Sequence, residues 1–181
     1  MPDARIRSAR PLLRLPLAAA ASLLCLALAA PAGAEQLGVF KDWTAHKVEV
    51  EGSPICFVES RPTSLDAAPS GRDAGDVRVT VTHRPSRGIF SALLFETGYA
   101  LDDKVLAEIA IDGDVYYMGS EPNGYFYVSE AKDERRLLEA MKGGLRLEAT
   151  GTRSDGSTST DAYSLSGITA ALGAIDKACP K

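Results

Sequence analysis

Histidine and cysteine are scarce in this chain of 181 residues, with two of the first and three of the second. His46 and His83 stand at no spacing that joins them to the cysteines as a zinc ligand set. There is no C-x-x-C pair, which argues against thioredoxin-like redox chemistry. There is no phosphate-binding glycine loop and no dinucleotide fingerprint. Tyr163-Ser164-Leu165-Ser166-Gly167 lacks the first glycine of a nucleophile elbow. Asp112-Gly113-Asp114 falls short of a calcium loop and reads as a hairpin turn. Basic residues do not exceed acidic ones, 20 against 24, which argues against nucleic acid as a partner. No series of long apolar runs marks a multi-span membrane protein.

What the chain does have is an ordinary globular composition, 45% hydrophobic and 24% charged, behind a distinctive start. Arg5, Arg7, Arg10 and Arg14 precede a 16-residue apolar run over 15–30, interrupted by Pro16 and Ser22. Ala32 and Ala34 then fit the small-residue cleavage pattern, so residues 1–34 read as a secretory signal peptide cut after Ala34. The rival is a retained anchor, which wants about 20 apolar residues. Cleavage would remove four arginines and one aspartate. The remaining 147 residues would then hold 16 basic and 23 acidic side chains, a net charge of −7. Such an acidic surface disfavours DNA, RNA and anionic lipid. The expected location is the periplasm, with no membrane span after cleavage.

Cys56 and Cys179 survive that cleavage. An even count in an exported domain suggests a disulfide closing 123 residues. The alternative is two buried free thiols.

Strand signals dominate residues 35–181, read as a single domain. Val77, Val79 and Val81 alternate with polar residues. Residues 89–95 are apolar on both faces apart from Ser91 and read as a central strand. Val105, Ala107, Ile109 and Ile111 lead through Asp112-Gly113 into Val115-Tyr116-Tyr117-Met118. Pro122-Asn123-Gly124 turns into Tyr125-Phe126-Tyr127-Val128. Leu145, Leu147 and Ala149 alternate, and Asp155-Gly156 turns into residues 157–165. Residues 43–50 and 55–60 form another pair. About eight strands at this spacing suit a sandwich or a barrel. Two helices interrupt them. One covers 130–142, with Leu137, Leu138 and Met141 on one face and Gly143-Gly144 as its stop. The other covers 168–178, with Ile168, Ala171, Leu172 and Ile175 aligned; Cys179 returns to that face, which favours a bridge to Cys56. Residues 61–75 form the one long loop, and His83-Arg84-Pro85-Ser86-Arg87 reads as a solvated strand end.

No nucleophile–base pair emerges. Five aromatics fall on two adjacent strands, and Tyr116, Tyr125 and Tyr127 are the candidate partner surface, against the plainer reading of cross-strand packing.

The order of segments resembles the invasion-associated locus B family of exported bacterial proteins. The likeness starts at Phe40-Lys41-Asp42-Trp43-Thr44, runs through Cys56-Phe57-Val58-Glu59-Ser60 and His83-Arg84-Pro85, and resumes at Ile111-Asp112-Gly113 and over 133–143. Its most specific stretch is Gly151-Thr152-Arg153 through Thr160-Asp161-Ala162-Tyr163-Ser164-Leu165-Ser166-Gly167, ending in Ala178-Cys179. Some relatives carry a cysteine shortly after the tryptophan, where this chain has Ala45-His46-Lys47. That departure leaves Cys179 as the one candidate partner for Cys56. The resemblance implies an all-β, immunoglobulin-like β-sandwich, an envelope location and no catalytic residues. It implies a link to host-cell invasion by name. The expectation is a non-catalytic protein without cofactor or metal that binds an unidentified envelope or host protein. The competing expectation is a small-ligand carrier, or a hydrolase with a site built from dispersed Asp and Glu.

Overall fold

A computed structural model describes residues 33–66 and 72–181. The leader expected over 1–34 lies outside the described residues except for Gly33 and Ala34. The elements are β1 (Glu35–Phe40), β2 (Trp43–Val50), β3 (Ser53–Ser60), β4 (Arg78–Arg84), β5 (Ile89–Glu96), β6 (Ala107–Ile111), β7 (Asp114–Glu121), β8 (Tyr125–Tyr127), α1 (Ala131–Gly143), β9 (Arg146–Thr152), β10 (Thr158–Ser164) and α2 (Ile168–Ala178).

The immunoglobulin-like sandwich expected from the resemblance is not what forms. All ten strands belong to one antiparallel sheet, in the order β1-β2-β3-β4-β5-β8-β7-β6-β9-β10. The decisive element is β8. Its three residues pair with β5 on one side (Phe95 opposite Phe126) and with β7 on the other (Ser120 opposite Phe126), so the ladder is never interrupted. In a sandwich two sheets meet only through their faces. Among the described residues no ladder joins β1 to β10, and the sheet stays open. Strand spacing cannot separate these cases, because short strands joined by tight turns serve any antiparallel architecture.

The alternation of side chains buries one face. Trp43, Cys56, Val58, Val79, Val81, Leu93, Phe95, Ile109, Met118, Phe126, Leu147 and Tyr163 form one contiguous core. Phe95 packs edge-on against Tyr163 at 6.0 Å. The helices supply the other wall. Ile168, Ala171, Leu172 and Ile175 of α2 are buried, and α2 lies against β1, β2 and β3. Leu137, Leu138 and Met141 of α1 are buried too. Cys56 and Cys179 are joined in a disulfide with Cα atoms 5.9 Å apart, which fastens the end of α2 to β3.

Two other expectations need correcting. Leu145 does not share the buried face of Leu147 and Ala149: it precedes β9 and is 81% exposed. Its N–H is held by the Asp112 carboxylate at 2.8 Å, beside the bond from Arg146 N–H at 3.0 Å. His83 is not in a solvated loop. It lies within β4, 1% exposed, with Nε2 2.9 Å from Asp176 Oδ1 on α2. Its Nδ1 accepts the Ser91 N–H at 3.0 Å. Both ring nitrogens are committed, so His83 ties β4, β5 and α2 together.

β1 carries no sequence signal of its own, and its burial follows no clean alternation. It is added to β2 by a tight turn, and the segment beyond β10 meets that turn. Asp42 N–H donates to Ser166 O at 3.3 Å, and Trp43 Nε1–H donates to Ser164 O at 3.0 Å. Gly167 makes this approach possible. Its φ is +99°, and a Cβ there would sit 1.9 Å from the Phe40 carbonyl oxygen. Gly167→Ala should therefore cost at least about 2 kcal/mol, through the left-handed strain and the displaced backbone. A urea midpoint unchanged from wild type would refute this.

The shortness of β8 leaves the edge of β5 uncovered beyond Leu94, and α1 takes over there. Glu134 Oε1 accepts the Leu93 N–H at 2.9 Å. Burial pushes the Glu134 carboxyl above its ordinary value, and the bond from Leu93 offsets this only in part. The folded state thus binds more protons than the unfolded state just above the ordinary glutamate range. Stability must fall as pH rises through that window. Glu134→Gln keeps the acceptor and should flatten the dependence of the urea midpoint between about pH 4 and pH 7.

Candidate functional site

The hairpin β6–β7 turns through Asp112 and Gly113, both at positive φ, as a two-residue primed turn requires. Its register fixes which side chains face outward. On β7, Met118 and Ser120 point inward, while Val115, Tyr117 and Glu121 point outward. On β8, Phe126 points inward, and Tyr125 and Tyr127 lie on the outer face.

Gly119 stands opposite Tyr127 in the ladder. A Cβ on Gly119 would lie 2.5 Å from Tyr127 Cζ. The glycine therefore leaves room for the tip of the Tyr127 ring over the neighbouring strand, and such covering of a strand glycine by a cross-strand aromatic is a stabilising device. Around it, Tyr117 is 63% exposed, Leu106 61% and Tyr127 38%. These residues line a hollow of about 300 Å³ whose remaining wall includes Asp103, Glu130 and Asp133. A second hollow of about 220 Å³ shares Tyr117, Val128 and Asp133 with it and adds Val115, Tyr116, Arg136 and Leu137.

The three tyrosines singled out from the sequence thus fall in three places. Tyr127 is at the centre of the outer platform. Tyr116 is half-buried on the opposite side of β7, with the Arg136 guanidinium 5.3 Å over its ring. Tyr125 lines a separate open cleft of about 480 Å³ with Asp76, Arg78, Glu96, Gly98 and Asn123. In that cleft Arg78 and Glu96 form a two-pronged ion pair, Nη2 donating to Oε1 at 2.9 Å and Nε to Oε2. Burial opposes the charge on Arg78, but the hydrogen bond and negative field of Glu96 outweigh it and hold the guanidinium above its ordinary value. Leu106 also belongs to the platform, as does Tyr117, which the sequence places among the five aromatics of these strands but not among the three candidate contact residues. The available signal was the period of two, which puts Tyr117 and Gly119 on one side and Tyr116 on the other.

The strongest buried charges serve the fold. The Arg72 and Asp161 side chains are 3% and 5% exposed and pair through two hydrogen bonds, one of them 2.8 Å long. Arg72 also donates to Thr97 O and Asp66 O, each at 2.7 Å. Arg72 and Arg153 lie 5.4 Å and 4.9 Å from the Tyr99 ring centre. Burial raises the Tyr99 hydroxyl above its ordinary value, and its bond to Ser159 at 2.8 Å works the other way. Among the described residues, no group of three or more His, Cys, Asp or Glu is placed to hold a metal ion. No helix among them is long and apolar enough to cross a membrane.

No family model and no curated protein matches the chain. Among solved structures, the crystal structure of invasion associated protein B from Bartonella henselae is similar to it. The TM-score is 0.53 at 16% sequence identity, over 80% of this chain and 98% of that one. The two proteins share a fold at a distance.

Proposed function

We propose that this is an exported, non-catalytic envelope protein that acts by binding a partner protein through the outer face of β7 and β8. The observation that carries the reading is the platform of Tyr117, Tyr127 and Leu106, exposed on a sheet whose other face forms one contiguous core. Large exposed aromatics grouped on one rigid sheet face are the composition of contact surfaces. Three further observations support it: the leader pattern over residues 1–34, a disulfide of the kind that persists in oxidising compartments, and the fold likeness to the Bartonella protein. Periplasmic residence with the leader removed after Ala34 is part of the proposal. So is a contribution to host-cell invasion, which rests on the name of that fold neighbour.

The cleft beside Tyr125 favours a second reading, a carrier of a small polar ligand. One experiment separates the two. The tagged full-length chain is expressed in its own cell, the envelope is fractionated, and co-purifying proteins are compared for wild type, Tyr117→Ala and Tyr125→Ala. A mature chain beginning at Glu35, with a partner lost only in Tyr117→Ala, is the expected result. An uncleaved cytosolic pool would overturn the export reading. A partner retained by Tyr117→Ala would overturn the surface.

A further inference from the structure

We propose that the platform at Tyr127 receives a basic, apolar peptide segment of the partner, with a lysine or arginine side chain lying over the Tyr127 ring. The inference rests on the partner-binding reading and adds the chemistry of what binds.

The geometry supplies a cation–π seat. The absence of a side chain at Gly119 leaves room for the tip of the Tyr127 ring over β7, and the residue is 38% exposed. The face of a tyrosine ring attracts a cation through its quadrupole. Leu106 and Tyr117, both more exposed than Tyr127, flank it and provide apolar contact for a side-chain stem or a neighbouring leucine.

The charges agree. The hollow is lined by Asp103, Glu130 and Asp133 and by no lysine or arginine. Lys132 engages Glu130 from outside at 2.9 Å, with both side chains exposed. Asp103 and Asp133 have no side-chain partner among the described residues. Arg136, one turn beyond Asp133, is turned to the Tyr116 ring in the neighbouring hollow. An anionic partner would meet three carboxylates, and a second copy docked by the same face would set those carboxylates against each other. A neutral apolar partner would leave them desolvated without compensation. A cation satisfies both the ring and the acids.

The test uses a short fluorescent peptide of alternating leucine and lysine and its leucine–glutamine counterpart. Each is titrated with the purified protein by anisotropy. The lysine peptide should bind about tenfold more tightly or better, and the preference should shrink when salt rises from about 0.1 M to 1 M. Tyr127→Leu keeps an apolar floor and removes the ring; it should weaken the lysine peptide by about fivefold to tenfold. Asp103→Asn with Asp133→Asn, both at exposed positions, should do the same. Glu49→Gln, an exposed acid on β2, should change it less than about twofold. Equal binding of the two peptides, or wild-type affinity in the Asp103/Asp133 double variant, would overturn the proposal. A photocrosslinking residue at position 117 distinguishes this from failure of the parent reading. Crosslinks to a partner segment without lysine or arginine would leave the surface standing and remove its basic ligand. No crosslink and no peptide binding would remove both.

Discussion

Replacing Cys56 and Cys179 together by alanine should lower the free energy of unfolding by about 3–5 kcal/mol. In a domain of this size that corresponds to a fall in melting temperature of roughly 10 °C. The bridge closes a loop of 123 residues, so it removes a large part of the freedom of the unfolded chain. It also acts where the native structure needs it. α2 lies against β1, β2 and β3, and it comes last among the described elements. Cys179 is the C-cap of that helix and is 1% exposed; Cys56 is fully buried. The measurement is urea unfolding of the oxidised, reduced and double-alanine proteins. The reduced and double-alanine proteins should unfold at similar urea concentrations, both well below the oxidised one. If all three coincide, α2 is held by packing alone, through Ile168, Ala171, Leu172 and Ile175.

The features that were legible in the sequence are local ones. Period-two valines placed β4, the Asp112-Gly113 turn placed a hairpin, and the aligned apolar residues of α2 pointed Cys179 at the sheet. What was not legible depends on register between distant segments. β8 joins two groups of strands through three residues on each side, and no pattern within Tyr125-Phe126-Tyr127 announces that it has two neighbours. A sandwich and a continuous sheet therefore share one sequence reading. His83 looked solvated because Arg84, Pro85 and Arg87 follow it, yet the strand persists through it and α2 lies over it. The platform has the same origin. Tyr127 was visible as an aromatic on a strand, but the room for its ring over β7 depends on Gly119, eight positions earlier, being its cross-strand partner.

The same dependence on distance governs the second large effect, expected at Asp161. Asp161→Asn should destabilise the protein by about 3–5 kcal/mol, because it leaves the Arg72 guanidinium buried without its counter-charge. The loss is more than one pair. Asp161 Oδ1 also accepts the Asp66 N–H at 3.1 Å, and Arg72 binds Asp66 O and Thr97 O. Close by, Thr63 N–H donates to Ala162 O at 2.7 Å and Ala162 N–H to Ser64 O at 2.9 Å. The segment after β3 is thereby clamped along β10, the last strand of the sheet, and shields its open edge. Releasing the clamp should expose that edge, so Asp161→Asn should also raise aggregation on heating. A double replacement provides the control. Arg72→Met with Asp161→Leu removes both charges at similar volume and should recover most of the loss, since a buried pair contributes little net stability against apolar substitutes. Equilibrium unfolding of the two single variants and the double variant closes the cycle. If the double variant is as unstable as the sum of the singles, the pair acts through its hydrogen bonds to Asp66 and Thr97, not through its charges.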